Sequence, residues 1–168
     1  MNRTHEEHAA EAHQRGDRAA GATLNKIALM ATLHCLSGCA IGEVLGMVIG
    51  TALELSNAAT IALAVVLAFF FGYALTMLPL LRVGMALRTV LGLALAADTA
   101  SITVMELVDN AVMLFMPGAM DAGLSDPLFW GALAFSLVVA GFAALPVNRH
   151  LIVRGKGHAT LHAHHAHR

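Results

Sequence analysis

Residues 31–50, ATLHCLSGCAIGEVLGMVIG, have the length and apolar character of a membrane-spanning helix. On a helix of 3.6 residues per turn, two ladders of side chains run side by side along this segment. The first ladder carries ligand-type groups at every fourth position: Cys35, Cys39, Glu43 and Met47. The second ladder is made of glycine: Gly38, Gly42, Gly46 and Gly50. His34 continues the glycine ladder toward the N-terminus.

The two ladders predict two different uses of one helix. Small residues at every fourth position let a second helix approach closely, either within the chain or between two copies of it. Thiol, carboxylate and thioether groups bind metal ions. We therefore expect a membrane helix with one face for packing and a neighbouring face for chemistry.

The composition of the 168-residue chain is that of a membrane protein. Hydrophobic residues make up 58% of it and charged residues only 12%, which is too apolar for an ordinary soluble domain. The sequence has no basic stripe and only one Trp and one Tyr, so we do not expect nucleic-acid binding.

Four apolar segments are each long enough to cross the hydrocarbon core of a bilayer. They lie at about 26–53, 59–81, 89–116 and 128–147. Pro117 and Gly118 end the third segment, and Asp126-Pro127 is typical of a helix start. We predict an all-α integral membrane protein whose four helices form an up-down bundle over residues 25–150. A polar N-terminal tail (1–24) and a His-rich C-terminal tail (151–168) flank the bundle.

The distribution of basic residues predicts the orientation of the bundle. All ten Lys and Arg residues fall in the N-terminal tail, the middle loop or the C-terminal tail. Four spans place these three regions on one side of the membrane, and the positive-inside rule makes that side the cytoplasm. Both termini are therefore expected in the cytoplasm, and the first and third helices run outward.

Polar side chains also follow one side of the third segment. Counted from the cytoplasmic ends, His34 and Cys35 come near the height of Asp98, and Glu43 comes near Glu106. We therefore expect the first and third helices to enclose a column of metal ligands. The candidate ligands are His34, Cys35, Cys39, Glu43, Met47, Asp98, Glu106, Asp109, Asn110 and Met113.

The acidic residues give the strongest functional signal. A charged carboxylate near the bilayer centre costs roughly 3 kcal/mol on insertion scales, so four of them would together cost about 10 kcal/mol, which rivals the stability of a domain. The spans contain no Lys or Arg partner for Glu43, Asp98, Glu106 and Asp109. Protonation, a bound cation or a water-filled path would remove the cost, and each is a functional state.

The donor set favours a transition metal ion as the bound species. Cysteine and methionine are soft ligands that suit copper(I), and His34 together with the carboxylates also admits zinc or iron. Met113, Met116 and Met120 lie toward the outer mouth, beside Asp121, as an entry site for copper(I) would. The histidines of the two tails could collect metal. The alternative interpretations are ordinary core methionines, a frayed or surface helix for the N-terminal segment and a solvated polar tail at the C-terminus.

Four segments of the sequence resemble an uncharacterised family of short four-span bacterial membrane proteins. They are HCLSGCAIGEVLGM (34–47), VMELVDNAVM (104–113), MPGAMDAGLSDPLFWGAL (116–133) and PVNRHLIVRGKGH (146–158). The resemblance covers nearly the whole chain except its tails. It implies a location in the bacterial inner membrane and supplies no activity.

We therefore expect a membrane protein that binds or transports a transition metal ion, with copper favoured, and that acts as a homo-oligomer because four helices are few for a transporter. A membrane thiol oxidoreductase or a haem protein ligated by His34 is one alternative. Mid-helix Cys-x-x-x-Cys spacing differs, however, from the Cys-x-x-Cys of such oxidoreductases. The second alternative is a proton-coupled carrier in which Glu43 and Glu106 share a proton, or a small subunit of a larger complex. No motif in the sequence predicts an enzymatic activity.

Overall fold

A computed structural model of the chain describes the backbone of residues 3–119 and 122–154, and the side chains of residues 19–92, 94–119 and 122–154. These residues form four helices: α1 (Arg3–Ala52), α2 (Asn57–Arg82), α3 (Leu87–Phe115) and α4 (Pro127–Val153). All four are long and apolar enough to cross a membrane. The predicted all-α membrane bundle is therefore confirmed.

The helices extend beyond the apolar segments that predicted them. The helix α1 begins at Arg3, so the segment predicted as an N-terminal tail continues α1, whose apolar span begins at Ala19. The helix α4 ends at Val153 rather than near residue 147, and it includes Pro146. Apolar character marks where a helix enters lipid, whereas alanine and charged residues propagate a helix equally well in water.

Side-chain caps and turns fix the ends inside the bundle. Ser56 caps α2, where its hydroxyl accepts a hydrogen bond from the backbone N–H of Ala59. Asp126 caps α4, since its carboxylate accepts from the N–H of Leu128 at 2.8 Å, and Pro127 is the first helical residue. This is the helix start that the sequence predicted. Gly118 takes a positive φ of 78° in the turn that follows α3.

The glycine ladder of α1 packs against α2 within the same chain. Gly38 lies against Gly72, Gly42 against Ala68 and Gly46 against Ala64. Residue numbers rise on α1 as they fall on α2, so the two helices are antiparallel. Each contact brings the two backbones together where a side chain would keep them apart. This face is therefore not free for a second copy of the chain.

The remaining contacts complete an up-down bundle. The helix α4 packs on α1 and α3, and α3 also packs on α2 and contacts α1 across the bundle centre. The central core contains both cysteines together with Ala68, Ile102 and Met105. Large apolar side chains point outward from all four helices, as they do when lipid surrounds a bundle.

Candidate functional site

The ligand ladder of α1 faces α3 across the centre of the bundle. The thiol of Cys35 donates a hydrogen bond to Oδ1 of Asp98 at 3.6 Å. One turn farther along, Sγ of Cys39 lies 4.0 Å from Sδ of Met105. Both cysteines are 1% exposed and unpaired as disulfides. The contacts advance in the same direction along both helices, so α1 and α3 run parallel and place their polar residues at matching depths.

Three carboxyl groups converge above this level. Glu43 of α1 lies beside Asp109, within reach of a side-chain hydrogen bond, and next to Glu106. Glu106 and Asp109 are 5% and 2% exposed. Because both belong to α3, three residues apart, they lie on the same side of that helix. The structure thus gathers three acidic side chains in one region of a membrane bundle.

Hydrogen bonding leaves much of this acidic cluster unsatisfied. Neither carboxylate oxygen of Glu106 has a hydrogen-bond partner of good geometry, and Oδ1 of Asp109 has none. The thiol of Cys39 lies beside Glu106, but the alignment falls short of a well-formed hydrogen bond. Unsatisfied buried polar atoms are costly, so these oxygens mark a place where an ion, a water or a proton would be stabilising.

A cavity of about 450 Å³ reaches two members of this acidic cluster. Glu43 and Asp109 line its floor, together with Met47, Asn110 and Met113. The wall consists of the α1–α2 turn, the start of α2, the segment after α3 and the start of α4. The cavity therefore opens at the end of the bundle that carries the first and third loops. No Lys, Arg or His is among the described residues that line it.

A second polar cluster lies deeper, toward the opposite end. Nε2 of His34 lies 3.0 Å from the hydroxyl of Thr76 on α2. Asp98 interacts with both Thr76 and the thiol of Cys35. Farther along, the side-chain amide of Asn148 on α4 donates to the hydroxyl of Thr32 at 2.9 Å. Polar groups therefore continue below the cavity, but side chains fill the space between them.

The structure brings most of the predicted ligands together, in two groups rather than one column. The outer group consists of Glu43, Met47, Glu106, Asp109, Asn110 and Met113. The inner group consists of His34, Cys35 and Asp98, and Cys39 lies between the groups. The amide of Asn110 donates to the backbone carbonyl of Glu106 at 2.9 Å, which leaves its carbonyl oxygen for the cavity. In the part of the chain that the structure describes, no three His, Cys, Asp or Glu side chains are arranged to hold one metal ion.

Sequence reasoning missed the polar contributions of α2 and α4 and the position of one methionine. Thr76 and Asn148 supply hydrogen bonds from helices that carry no acidic or thiol group inside the bundle. Met105 is completely buried against Cys39. Its position on the same helix face as Asp98 and Asp109 is the sequence feature that could have identified it as a candidate ligand. Met120, Asp121 and the histidines of the C-terminal tail lie outside the described residues, as do the side chains of the N-terminal histidines.

Comparison with known proteins gives one match. Residues 24–157 match the family described as a domain of unknown function (DUF4396). This agrees with the expected resemblance to an uncharacterised family. No curated protein and no solved structure matches the chain.

Proposed function

We propose that this chain, which belongs to the DUF4396 family, binds a transition metal ion inside the membrane and carries it across, with copper favoured over zinc or iron. The observation that supports this most directly is the acidic floor of the cavity. Glu43 and Asp109 line the cavity and Glu106 lies next to Glu43, with no basic residue among the described residues that line the cavity. A cation is the ligand that such a site attracts.

Electrostatics supports a cation as the cargo. Carboxylates that share a low-dielectric site repel one another, and each loses hydration when it is buried. A cation at the cavity floor would compensate both costs and would satisfy the free Oδ1 of Asp109. The cavity provides a path for an ion from the aqueous phase to the carboxyl groups of Glu43 and Asp109.

The other donors around the floor support a transition metal rather than a hard ion. Met47 and Met113 contribute thioethers, and Asn110 contributes an amide oxygen. Thioethers have little affinity for magnesium or calcium but bind copper(I) well. Carboxylate, amide and thioether ligands together therefore favour a first-row transition metal.

The proposal includes the location and assembly of the protein. Following the positive-inside rule, we place both termini in the cytoplasm of a bacterium and the cavity on the outer side of its inner membrane. Arg82, Arg88, Arg149 and Arg154 all lie at the end of the bundle opposite the cavity. We also propose a homo-oligomer, whose interface must lie away from the glycine face because α2 covers that face.

Uptake into lipid vesicles tests this function. We expect full-length protein, reconstituted in vesicles that contain a metal-sensitive dye, to admit Cu⁺ under reducing conditions. Glu43→Gln should lower the initial rate at least tenfold, because it removes a floor carboxylate while it preserves size and hydrogen bonding to Asp109. Circular dichroism and gel filtration would verify that the variant folds.

A matched variant controls for charge at the cavity mouth. Glu54 also lines the cavity, but it lies in the exposed α1–α2 turn. Glu54→Gln removes the same charge without touching the floor, so we expect a change of less than about twofold. If both variants transport as the parent does, or if the parent admits no metal, the proposed function is wrong.

A proton-coupled carrier is the second candidate, because Glu43 and Asp109 lie within hydrogen-bonding reach. Two carboxyls in such contact can share a proton. In the same vesicles, a pH gradient dissipated without any metal would favour this function. A thiol oxidoreductase has less support, because both cysteines are buried and a thiol that exchanges with a substrate must be accessible.

A further inference from the structure

Two sulfur atoms meet at the centre of the bundle. Sγ of Cys39 and Sδ of Met105 are 4.0 Å apart, and both side chains are buried in the central core. One metal ion at about 2.3 Å from each sulfur, the usual metal–thiolate length, fits a separation of this size. The pair lies between the acidic floor of the cavity and the inner cluster around Asp98.

An independent feature points to a ligand at the same place. Glu106 follows Met105 directly and lies beside the thiol of Cys39. Its side chain is 5% exposed, yet neither of its carboxylate oxygens has a hydrogen-bond partner. A methionine–cysteine contact in an apolar core does not account for a buried, unpartnered carboxylate at its edge. A bound cation or an exchanged proton does.

We propose that Cys39 and Met105 are ligands of a soft monovalent metal ion, Cu⁺ or Ag⁺, at a site whose edge is formed by the buried carboxylate of Glu106. This inference rests on the proposed cation function and names its substrate class. It assigns the selectivity of the protein to a sulfur pair that an ion meets after the cavity floor.

The binding step balances in charge and in atoms. The S–H bond of Cys39 breaks and a sulfur–metal bond forms, since the thiolate is the form that binds metal. The proton is released to the aqueous phase. The thiolate and the monovalent ion are neutral together, and the thioether of Met105 carries no charge. Binding therefore adds no net charge to the low-dielectric core.

Zinc fits this site poorly. It requires about four ligands in a tetrahedral arrangement, and no three His, Cys, Asp or Glu side chains among the described residues are arranged to hold one metal ion. Cu⁺ and Ag⁺ accept two or three soft ligands, so two sulfurs suffice for them.

Titration of the full-length, reduced protein in detergent with Ag⁺ tests the inference, since Ag⁺ is a redox-inert substitute for Cu⁺. The sulfur-to-metal absorption in the ultraviolet is the readout. The chain has only two cysteines, so histidines in the tails do not contribute to this thiolate signal. We expect Met105→Leu, which conserves volume, to weaken Ag⁺ binding at least tenfold and to leave Zn²⁺ binding unchanged.

Met30→Leu is the matched control, because Met30 lies on α1 with 61% of its surface exposed; it should bind Ag⁺ as the parent does. Equal Ag⁺ affinity in Met105→Leu and the parent would overturn the inference. If Met105→Leu has no effect but Glu43→Gln still abolishes vesicle uptake, the sulfur site is wrong and the proposed function stands. If the parent admits no metal at all, the proposed function itself fails.

Discussion

Asn148 illustrates how one buried polar residue ties two membrane helices together. Its side-chain amide donates to the hydroxyl of Thr32, and that hydroxyl donates in turn to the backbone carbonyl of Ala28. Both polar side chains are almost completely buried. The short chain of hydrogen bonds joins α4 to α1 near the end that carries the basic residues. Hydrogen bonds between membrane helices contribute about 0.6 kcal/mol on average, so the stabilisation by this contact is modest.

We expect Asn148→Ala to lower the free energy of unfolding by about 1 kcal/mol, since the variant loses both the hydrogen bond and some packing. Unfolding in mixed micelles at increasing denaturing detergent measures the change. Ser37→Ala is the control, because the exposed hydroxyl of Ser37 bonds only to the carbonyl of Leu33 in its own helix. Equal stability of the parent and Asn148→Ala would show that Thr32 finds another partner.

Spacing predicted which polar residues share a helix face where the residue type was unusual for its surroundings. A thiol or carboxylate repeated every fourth residue in an apolar helix stands out, so Cys39 and Glu43 could be assigned to one face. Met105 did not stand out, because methionine is a common core residue. Counting along the helices also placed Glu43 near Glu106, as the structure has it, but did not predict that Asp109 would lie beside Glu43 as well. Depths counted from estimated helix ends are too uncertain for that distinction.

At the scale of helices, the contact between α1 and α2 depends on the absence of side chains. A Cβ added at Gly42 would overlap the backbone nitrogen and Cα of Ala68, and one at Gly38 would lie 2.7 Å from Cα of Gly72. These obstructing atoms belong to the backbone and cannot rotate away. The position of α2, and with it the reach of Thr76 to His34, therefore depends on glycine.

Gly42→Ala should destabilise the bundle by about 1–3 kcal/mol, the usual range for overpacking, because the two backbones must separate. Gly131→Ala on α4 provides the matched control: no atom lies within 4 Å of the added methyl group. The higher helix propensity of alanine should leave that variant as stable as the parent, or slightly more stable. The same detergent unfolding assay compares the two. Equal stability of both variants would contradict the close packing of α1 on α2.

The sequence predicted the existence of each helix more reliably than its limits or its neighbours. Hydropathy identified all four spans because lipid requires a continuous apolar helix. It did not predict the extension of α1 to Arg3 or of α4 to Val153, since helix hydrogen bonds persist past the membrane surface. The glycine ladder predicted a close contact, but spacing alone did not distinguish α2 from a second copy of the chain.

For the molecule as a whole, the main feature is its asymmetry along the bundle axis. The cavity enters from the end with the first and third loops, and its acidic floor lies above the sulfur pair and the inner cluster. Packed side chains, among them the fully buried Ile102, close the centre. A carrier open to one side only would have this shape. Short loops predicted the up-down arrangement, and polar residues on two helices predicted that α1 faces α3. The cavity could not be predicted from the sequence, because it depends on how the helix ends and loops pack in space.

The orientation of the bundle in the membrane decides which side of the membrane the cavity faces. Cysteine labelling measures this orientation. Ser125, in the exposed turn before α4, lies on the cavity side, whereas Val83, 60% exposed after α2, lies on the other side. If the positive-inside rule holds, a membrane-impermeant maleimide should label Ser125→Cys in spheroplasts. It should label Val83→Cys only after the membrane is permeabilised.

The parent chain serves as the control for this labelling, because both native cysteines are 1% exposed and should react little from either side. The opposite labelling pattern would place both termini outside the cell and turn the acidic cavity toward the cytoplasm. The basic residues at the other end would then face outward, against the usual charge bias. Cu⁺ would have to enter from the cytoplasm to reach Glu43 first. Under the proposed function, the orientation determines whether the cavity receives metal from outside the cell or loads it for export.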